Sequence, residues 1–187
     1  MTDSRVRVLF DEETIARRCE ELAAEIVADA PKDLLVVAVL KGSFMFAADL
    51  IRALHRAGLD PQVEFIHLSS YRDGTQSSGQ VAILRDVESA VQDRDVLLID
   101  DILESGRTIV FAKDLLAARG ARRVLTAVLL EKPGKRAVQI EADHVGFTCP
   151  DRFVVGYGMD IAHSFRQLPF VGVIDTGDTA PDLFEPT

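Results

Sequence analysis

Cysteine is scarce in this chain of 187 residues: Cys19 and Cys149 are the whole complement, and they stand in no metal-ligand spacing. A disulfide framework and a zinc cluster are both excluded. Long apolar runs are missing too. The longest uninterrupted one, residues 34–40 (LLVVAVL), is far too short to cross a membrane. The opening MTDSRVRV carries neither an apolar signal-peptide core nor a myristoylation pattern, so the expected compartment is the cytoplasm. Basic charge is in deficit: 21 Lys and Arg stand against 30 Asp and Glu, a net charge of −9, which argues against a general nucleic-acid-binding surface. There is no internal repeat, low-complexity tract or linker, and the length suits one domain with a substantial core.

What the chain has in plenty is alternation between buried-strand and amphipathic-helix patterns. Residues 6–10 read as a short strand leading to Asp11, a helix cap. Ile15, Cys19, Leu22 and Ile26 then repeat at steps of four, three and four, an amphipathic helix that ends before Pro31 and packs Cys19 in its apolar face. Residues 34–40 form a buried strand, 43–57 a helix stopped by Gly58, 63–68 a strand, 108–119 a helix closed by Gly120, and 124–130 another strand. This alternation predicts an α/β fold: a central parallel sheet flanked by helices on both faces, whose ligands bind outside the carboxyl ends of the strands. From Glu141 onward the pattern turns to short strands, turns and aromatics, and residues 176–187, with Pro181 and Pro186, read as a loosely ordered tail.

The most informative segment is residues 96–108, VLLIDDILESGRT. VLLI is a buried strand. Asp100 and Asp101 at its carboxyl end can accept hydrogen bonds from a vicinal diol or hold a divalent cation. Ser105, Gly106, Arg107 and Thr108 offer hydroxyls, a permissive backbone and the open N–H groups of a helix start, which suit a phosphate. Either half alone also fits a plain turn and a helix cap. In this order, with Glu104 between them, the two halves specify a site for a phosphorylated sugar, and the acidic balance is no obstacle if magnesium accompanies the anion.

Residues 96–108 resemble the ribose-phosphate motif of the type I phosphoribosyltransferases, which use phosphoribosyl pyrophosphate (PRPP). Other segments narrow the resemblance to the hypoxanthine-guanine branch. Lys41-Gly42 after LLVVAVL resembles its pyrophosphate loop, and residues 69–81 (SSYRDGTQSSGQV) its mobile active-site loop. LLEKP at 129–133 resembles the strand bearing its base-recognising lysine, and FVVGYGMDIAHSFR at 153–166 its base-stacking and metal-binding segment. These pieces keep family order and span roughly residues 40 to 170.

The resemblance implies one phosphoribosyltransferase domain, with a core over about 30–140 and a hood from the N-terminal segment and about 141–175. It implies transfer of a phosphoribosyl group to hypoxanthine or guanine, with Mg2+ as cofactor and a homodimer or homotetramer as the assembly. Glu104 is the expected proton-handling carboxylate, although the family's commonest residue there is Asp, one methylene shorter. Lys132 is expected on the base; an ammonium only donates, so it suits a 6-oxo group and not the 6-amino group of adenine. Phe153 would stack on the purine and the Val154 backbone would meet its edge. Lys41, Gly42 and Arg166 would contact pyrophosphate, and Asp160, with Asp100 and Asp101, would hold the metal. The family's peptide bond before the loop lysine can be cis, which singles out Leu40–Lys41. Ser70 and Tyr71 would reach the site when residues 69–79, rich in Ser, Gly and Thr, close as a lid.

Two other readings compete. One is a regulatory RNA-binding protein on the same fold, such as an attenuator of pyrimidine genes; the acidic balance, Lys132 and the 153–160 segment weigh against it. The other keeps the enzyme and changes the base, to xanthine or another ring.

Overall fold

The computed structural model describes residues 6–73 and 76–174, with the side chains of residues 70–80 outside that description. The chain opens with β1 (Val6–Phe10), after which Asp11 accepts the Thr14 N–H at 2.8 Å and starts α1 (Glu12–Ala28). The residues at steps of four and three, Ile15, Cys19, Leu22 and Ile26, are the buried face of α1.

There follow β2 (Leu35–Leu40), α2 (Phe44–Arg56), β3 (Gln62–Asp73), β4 (Gln76–Arg85), β5 (Asp95–Leu103), α3 (Arg107–Ala118), β6 (Arg123–Glu131) and β7 (His144–Thr148). The strands β4-β3-β2-β5-β6-β7 form one six-stranded sheet, parallel throughout except for β4, which runs antiparallel at the edge. β2 shows why the apolar run reads as continuous. Leu35, Val37 and Val39 pack with Leu98 and with Ile109, Ala112 and Leu116 of α3, while Val36 and Ala38 pack with α1 and α2 on the other face. Both faces are buried, so no position alternates to polar.

β8 (Val154–Val155) and β9 (Val171–Ile174) join β1 in a second, three-stranded antiparallel sheet. Val154, Val171 and Val173 share the core of α1 and α2. Phe10 stacks on Phe147 with ring centroids 4.2 Å apart, which ties the end of β1 to β7.

Two expectations are corrected. The strand that begins at VLLI does not end before the aspartates: β5 runs through Asp100 and Asp101 to Leu103 because β6 keeps pairing with it, Ile102 against Leu130 and Leu103 against Glu131. The segment 69–79 is not simply a loop, since residues 69–73 and 76–79 belong to the antiparallel hairpin of β3 and β4. A long neighbouring strand overrides the weak strand preference of Ser and Gly. The expected lid contacts of Ser70 and Tyr71 lie outside the described side chains, as does the tail 176–187. Among the described residues no helix is long and apolar enough to cross a membrane.

Candidate active site

From β2 the chain crosses through α2 to β3 on one side, whereas β5, on the other side of β2, leads through α3 to β6. The strand order therefore reverses between β2 and β5, and their carboxyl ends open into a crevice. A cavity of about 280 Å³ sits there, lined by Lys41, Gly42, Asp100, Asp101, Glu104, Ser105, Gly106 and Thr108 among others. The residues read from two separate segments thus meet in one cleft.

Each wall has a local cause. The Leu40–Lys41 peptide is cis, as the family pattern suggested. A Cβ on Gly42 would stand 1.6 Å from Asp101 Oδ2, so only glycine lets the β5 carboxylate lie against the β2 loop. Gly106 has φ of 81° and would drive a Cβ to 2.4 Å from Ile140 Cγ2, so both conformation and space demand glycine at the start of α3. As cap residue it offers the first turn no side-chain acceptor, a place an anion can take. The Ser105 hydroxyl accepts the Arg107 N–H only weakly, at 3.4 Å.

Asp100 and Asp101 pin their own strand: Asp100 Oδ1 accepts the Asp101 N–H at 2.9 Å and Asp101 Oδ1 the Ile102 N–H at 2.7 Å. Burial, together with the charge of Asp101, pushes the Asp100 carboxyl well above the usual carboxylate range. Burial also raises Asp101, while its hydrogen bonds and the nearby Arg166 guanidinium pull it back. Two adjacent carboxylates lining one cleft repel each other, which a cation would relieve, and their remaining lone pairs can accept from a diol.

The second half of the site comes from distant chain. Lys132, buried at 7% exposure, follows β6; its N–H donates to Leu103 O at 3.0 Å and its Nζ lies 3.7 Å from Glu104 Oε1. Cys149 N–H donates to Glu131 O at 2.8 Å, and Lys135 pairs with Asp151 at 2.9 Å, so the segment leading to Phe153 runs beside Lys132. Phe153 is 50% exposed, and Val154 is buried in β8.

Past Val154 the chain turns through Gly156, Tyr157 and Gly158, all with positive φ. A Cβ on Gly158 would stand 2.2 Å from Gly42 O, which brings this turn onto the β2 loop. Arg166 donates to Gly158 O at 2.6 Å and pairs with Asp160 at 2.6 Å, while Asp160 Oδ2 accepts the His163 N–H at 2.8 Å. Asp160 and Arg166 are thus each other's partners beside the cleft. Among the described residues no three His, Cys, Asp or Glu side chains cluster tightly enough to cage a metal.

Two features escaped the sequence. Tyr157 donates its hydroxyl to Asp49 of α2, 108 residues away, and burial pushes its phenol up. The flanking glycines signalled the turn, but nothing signalled the partner. Arg136 donates to the carbonyls of Leu103, Glu104 and Lys132 at 2.7, 2.9 and 3.0 Å. Backbone acceptors leave no residue-type pattern to read.

A strand-to-helix turn opening on a cleft at the switch point of a parallel sheet, with a second, small antiparallel sheet beside the core, is the arrangement of a type I phosphoribosyltransferase. The phosphoribosyl transferase domain matches residues 6–162 of the chain. A hypoxanthine-guanine phosphoribosyltransferase of Streptococcus agalactiae is 43% identical over 169 residues, 90% of this chain and 92% of that protein. The solved structure of a hypoxanthine phosphoribosyltransferase from Staphylococcus aureus matches with a TM-score of 0.85 at 41% identity, over 90% of each chain. The bifunctional protein TilS/HprT of Listeria innocua is also 43% identical over 169 residues, but these span only 26% of its length. By fold and by sequence, the chain belongs to the hypoxanthine-guanine phosphoribosyltransferase family.

Proposed function

We propose that this chain is a purine salvage enzyme that transfers the 5-phosphoribosyl group of PRPP to hypoxanthine and guanine, giving IMP or GMP and pyrophosphate. The observation that carries the reading is the approach of Glu104 Oε1 and Lys132 Nζ to 3.7 Å at the edge of the phosphate cleft. A 6-oxopurine presents an acceptor, its 6-oxygen, next to an imidazole nitrogen that carries or sheds a proton. One donor and one acceptor side by side match that edge, and an ammonium offers nothing to the 6-amino group of adenine.

In the reaction an imidazole nitrogen of the base forms a bond to C1 of the ribose as the C1–O bond to pyrophosphate breaks. Both electrons of that bond leave with pyrophosphate. The proton left on the other imidazole nitrogen passes to Glu104. Ser105, Gly106, Arg107 and Thr108 hold the 5-phosphate, Asp100 and Asp101 the ribose hydroxyls, and Lys41, Gly42 and Arg166 the pyrophosphate. Phe153 supplies the stacking face and the Val154 backbone the edge contact. Positioning dominates, because the leaving group is already good.

Mg2+ keeps several waters and takes only one or two carboxylates beside substrate phosphates. The oxygen donors Asp100 and Asp101, which line the cleft, and Asp160, paired with Arg166 beside it, fit such an ion, which when bound would neutralise the departing pyrophosphate. Residence in the cytoplasm and assembly as a homodimer or homotetramer belong to the same proposal.

The test is a base panel: purified protein, PRPP and Mg2+ with hypoxanthine, guanine, xanthine, adenine and uracil in turn. Pyrophosphate release is expected with hypoxanthine and guanine and not with adenine or uracil. Turnover of adenine or uracil, or of no base, would overturn the reading, and the last outcome would favour the RNA-binding alternative.

A further inference from the structure

We propose that Arg136 is a positioning residue that sets the separation of Glu104 and Lys132, and so couples proton handling to recognition of the base. The inference rests on the roles given to those two residues above. Arg136 stands in the connection between β6 and β7, four residues after Lys132. Its Nη1 donates to the carbonyls of Leu103, Glu104 and Lys132 at 2.7, 2.9 and 3.0 Å. Nε reaches Ile140 O at 3.3 Å and Nη2 reaches the Glu131 carboxylate at 3.2 Å. One nitrogen with two hydrogens thus serves three carbonyls, two of which belong to the acid and the lysine of the site.

This arrangement has a consequence for geometry. Glu104 is carried by the loop after β5 and Lys132 by the loop after β6. Parallel pairing aligns these strands only as far as Leu103 and Glu131. Beyond that register the two loops are joined by the Lys132 N–H to Leu103 O at 3.0 Å and, past the two side chains, by the Ala137 and Val138 N–H groups to Ser105 O at 2.9 and 3.4 Å; neither link touches the Glu104 or Lys132 carbonyl. The guanidinium supplies the rest by gathering both carbonyls to one point, with a planar fork whose five donors are fixed relative to one another. With both carbonyls held, the side chains project toward each other to the 3.7 Å approach.

The rest of the connection is secured without Arg136. Ala137 N–H donates to Ser105 O at 2.9 Å, and Ile140 and Val138 fill the space over Gly106. Removing the guanidinium therefore leaves the phosphate cradle roofed and frees mainly the angle between acid and lysine. PRPP binding and base binding are predicted to separate. Misplacement of a reacting group by about 1 Å costs on the order of 100-fold in rate.

The experiment compares the full-length wild type, Arg136→Gln, Arg136→Lys and Glu104→Gln, together with Glu104→Gln combined with Arg136→Gln. For Arg136→Gln, kcat is expected to fall about 100-fold and KM for hypoxanthine to rise about 10-fold, with KM for PRPP within about two-fold of wild type. Arg136→Lys, which keeps the charge and can reach part of the carbonyl set, should recover part of both losses. The double variant should lose far less than the product of the single losses, because Arg136 acts through Glu104. Equal rises in both KM values, multiplying losses or unchanged kinetics would overturn the proposal. Should Arg136→Gln fail to fold, Arg136→Lys carries the same KM comparison with the same outcomes. A wild type inactive on every 6-oxopurine would instead strike the functional reading itself; an active wild type with unaffected Arg136 variants strikes only this inference.

Discussion

The half of the site proposed for the phosphate and the half proposed for the base are built by opposite strategies. The phosphate half is one continuous stretch, Asp100 to Thr108, running from a strand into a helix. Each of its parts follows from its neighbours: the carboxylates cap their own strand amides, and Gly106 opens α3 in the one conformation and space that admit it. The base half draws on Glu104, the turn after β6 and the exposed Phe153, and its geometry depends on contacts between segments far apart in the chain. A phosphate is a compact anion that every PRPP presents alike, and a helix start meets it locally. A purine is a broad flat ring with distinct edges, and only several elements together could surround it.

Substitutions can break this contrast or sharpen it. The largest effect is expected at Glu104, where the halves meet. Glu104→Gln keeps size and hydrogen bonding but cannot take a proton, so turnover should fall about 10²–10⁴-fold while PRPP binding, measured by calorimetry, stays close to wild type. Near-normal turnover would remove Glu104 from proton handling.

Lys132→Ala should act on one half only. Loss of a charged hydrogen bond to the 6-oxygen costs about 1.5–3 kcal/mol, or roughly 10–100-fold in KM for hypoxanthine. KM for PRPP should move little, and equal losses in both would argue against contact with the base.

The smallest effect is expected at Tyr157. Tyr157→Phe removes the hydroxyl that Asp49 accepts, but Asp49 keeps Arg52 as a partner. Denaturant unfolding should show a loss of about 1 kcal/mol, a typical net hydrogen bond. KM for PRPP should rise slightly as the Gly158 turn loosens over Gly42. A loss well above that value would mean that the small sheet depends on this bond for its fold.

Legibility in the sequence follows the same division. Helix α1 and strand β2 are readable because burial repeats at helical steps in one and runs unbroken in the other. The end of β5 is not readable, because the apolar run stops at Ile99 whereas the strand stops where its partner does. The stretch 76–79 reads as part of a loop and pairs as a strand for the same reason: its register is set by β3. Asp160 and Arg166 are each visible as site candidates, yet their pairing with one another is a fact of space. Arg136 offers no signal, since its partners are carbonyls that every residue carries.

By itself the sequence determined an alternating α/β chain with a glycine-opened strand-to-helix turn, the proposed phosphate cradle, because hydrophobic period, glycine conformation and helix-end chemistry act over a few residues. Only the tertiary structure decided that β2 and β5 are neighbours, that their reversal opens the cleft, and that an acid and a lysine from different loops come within 3.7 Å. Those outcomes depend on which segments meet through space, and burial of Asp100 beside Asp101 acquires its chemical meaning only when the walls around them close.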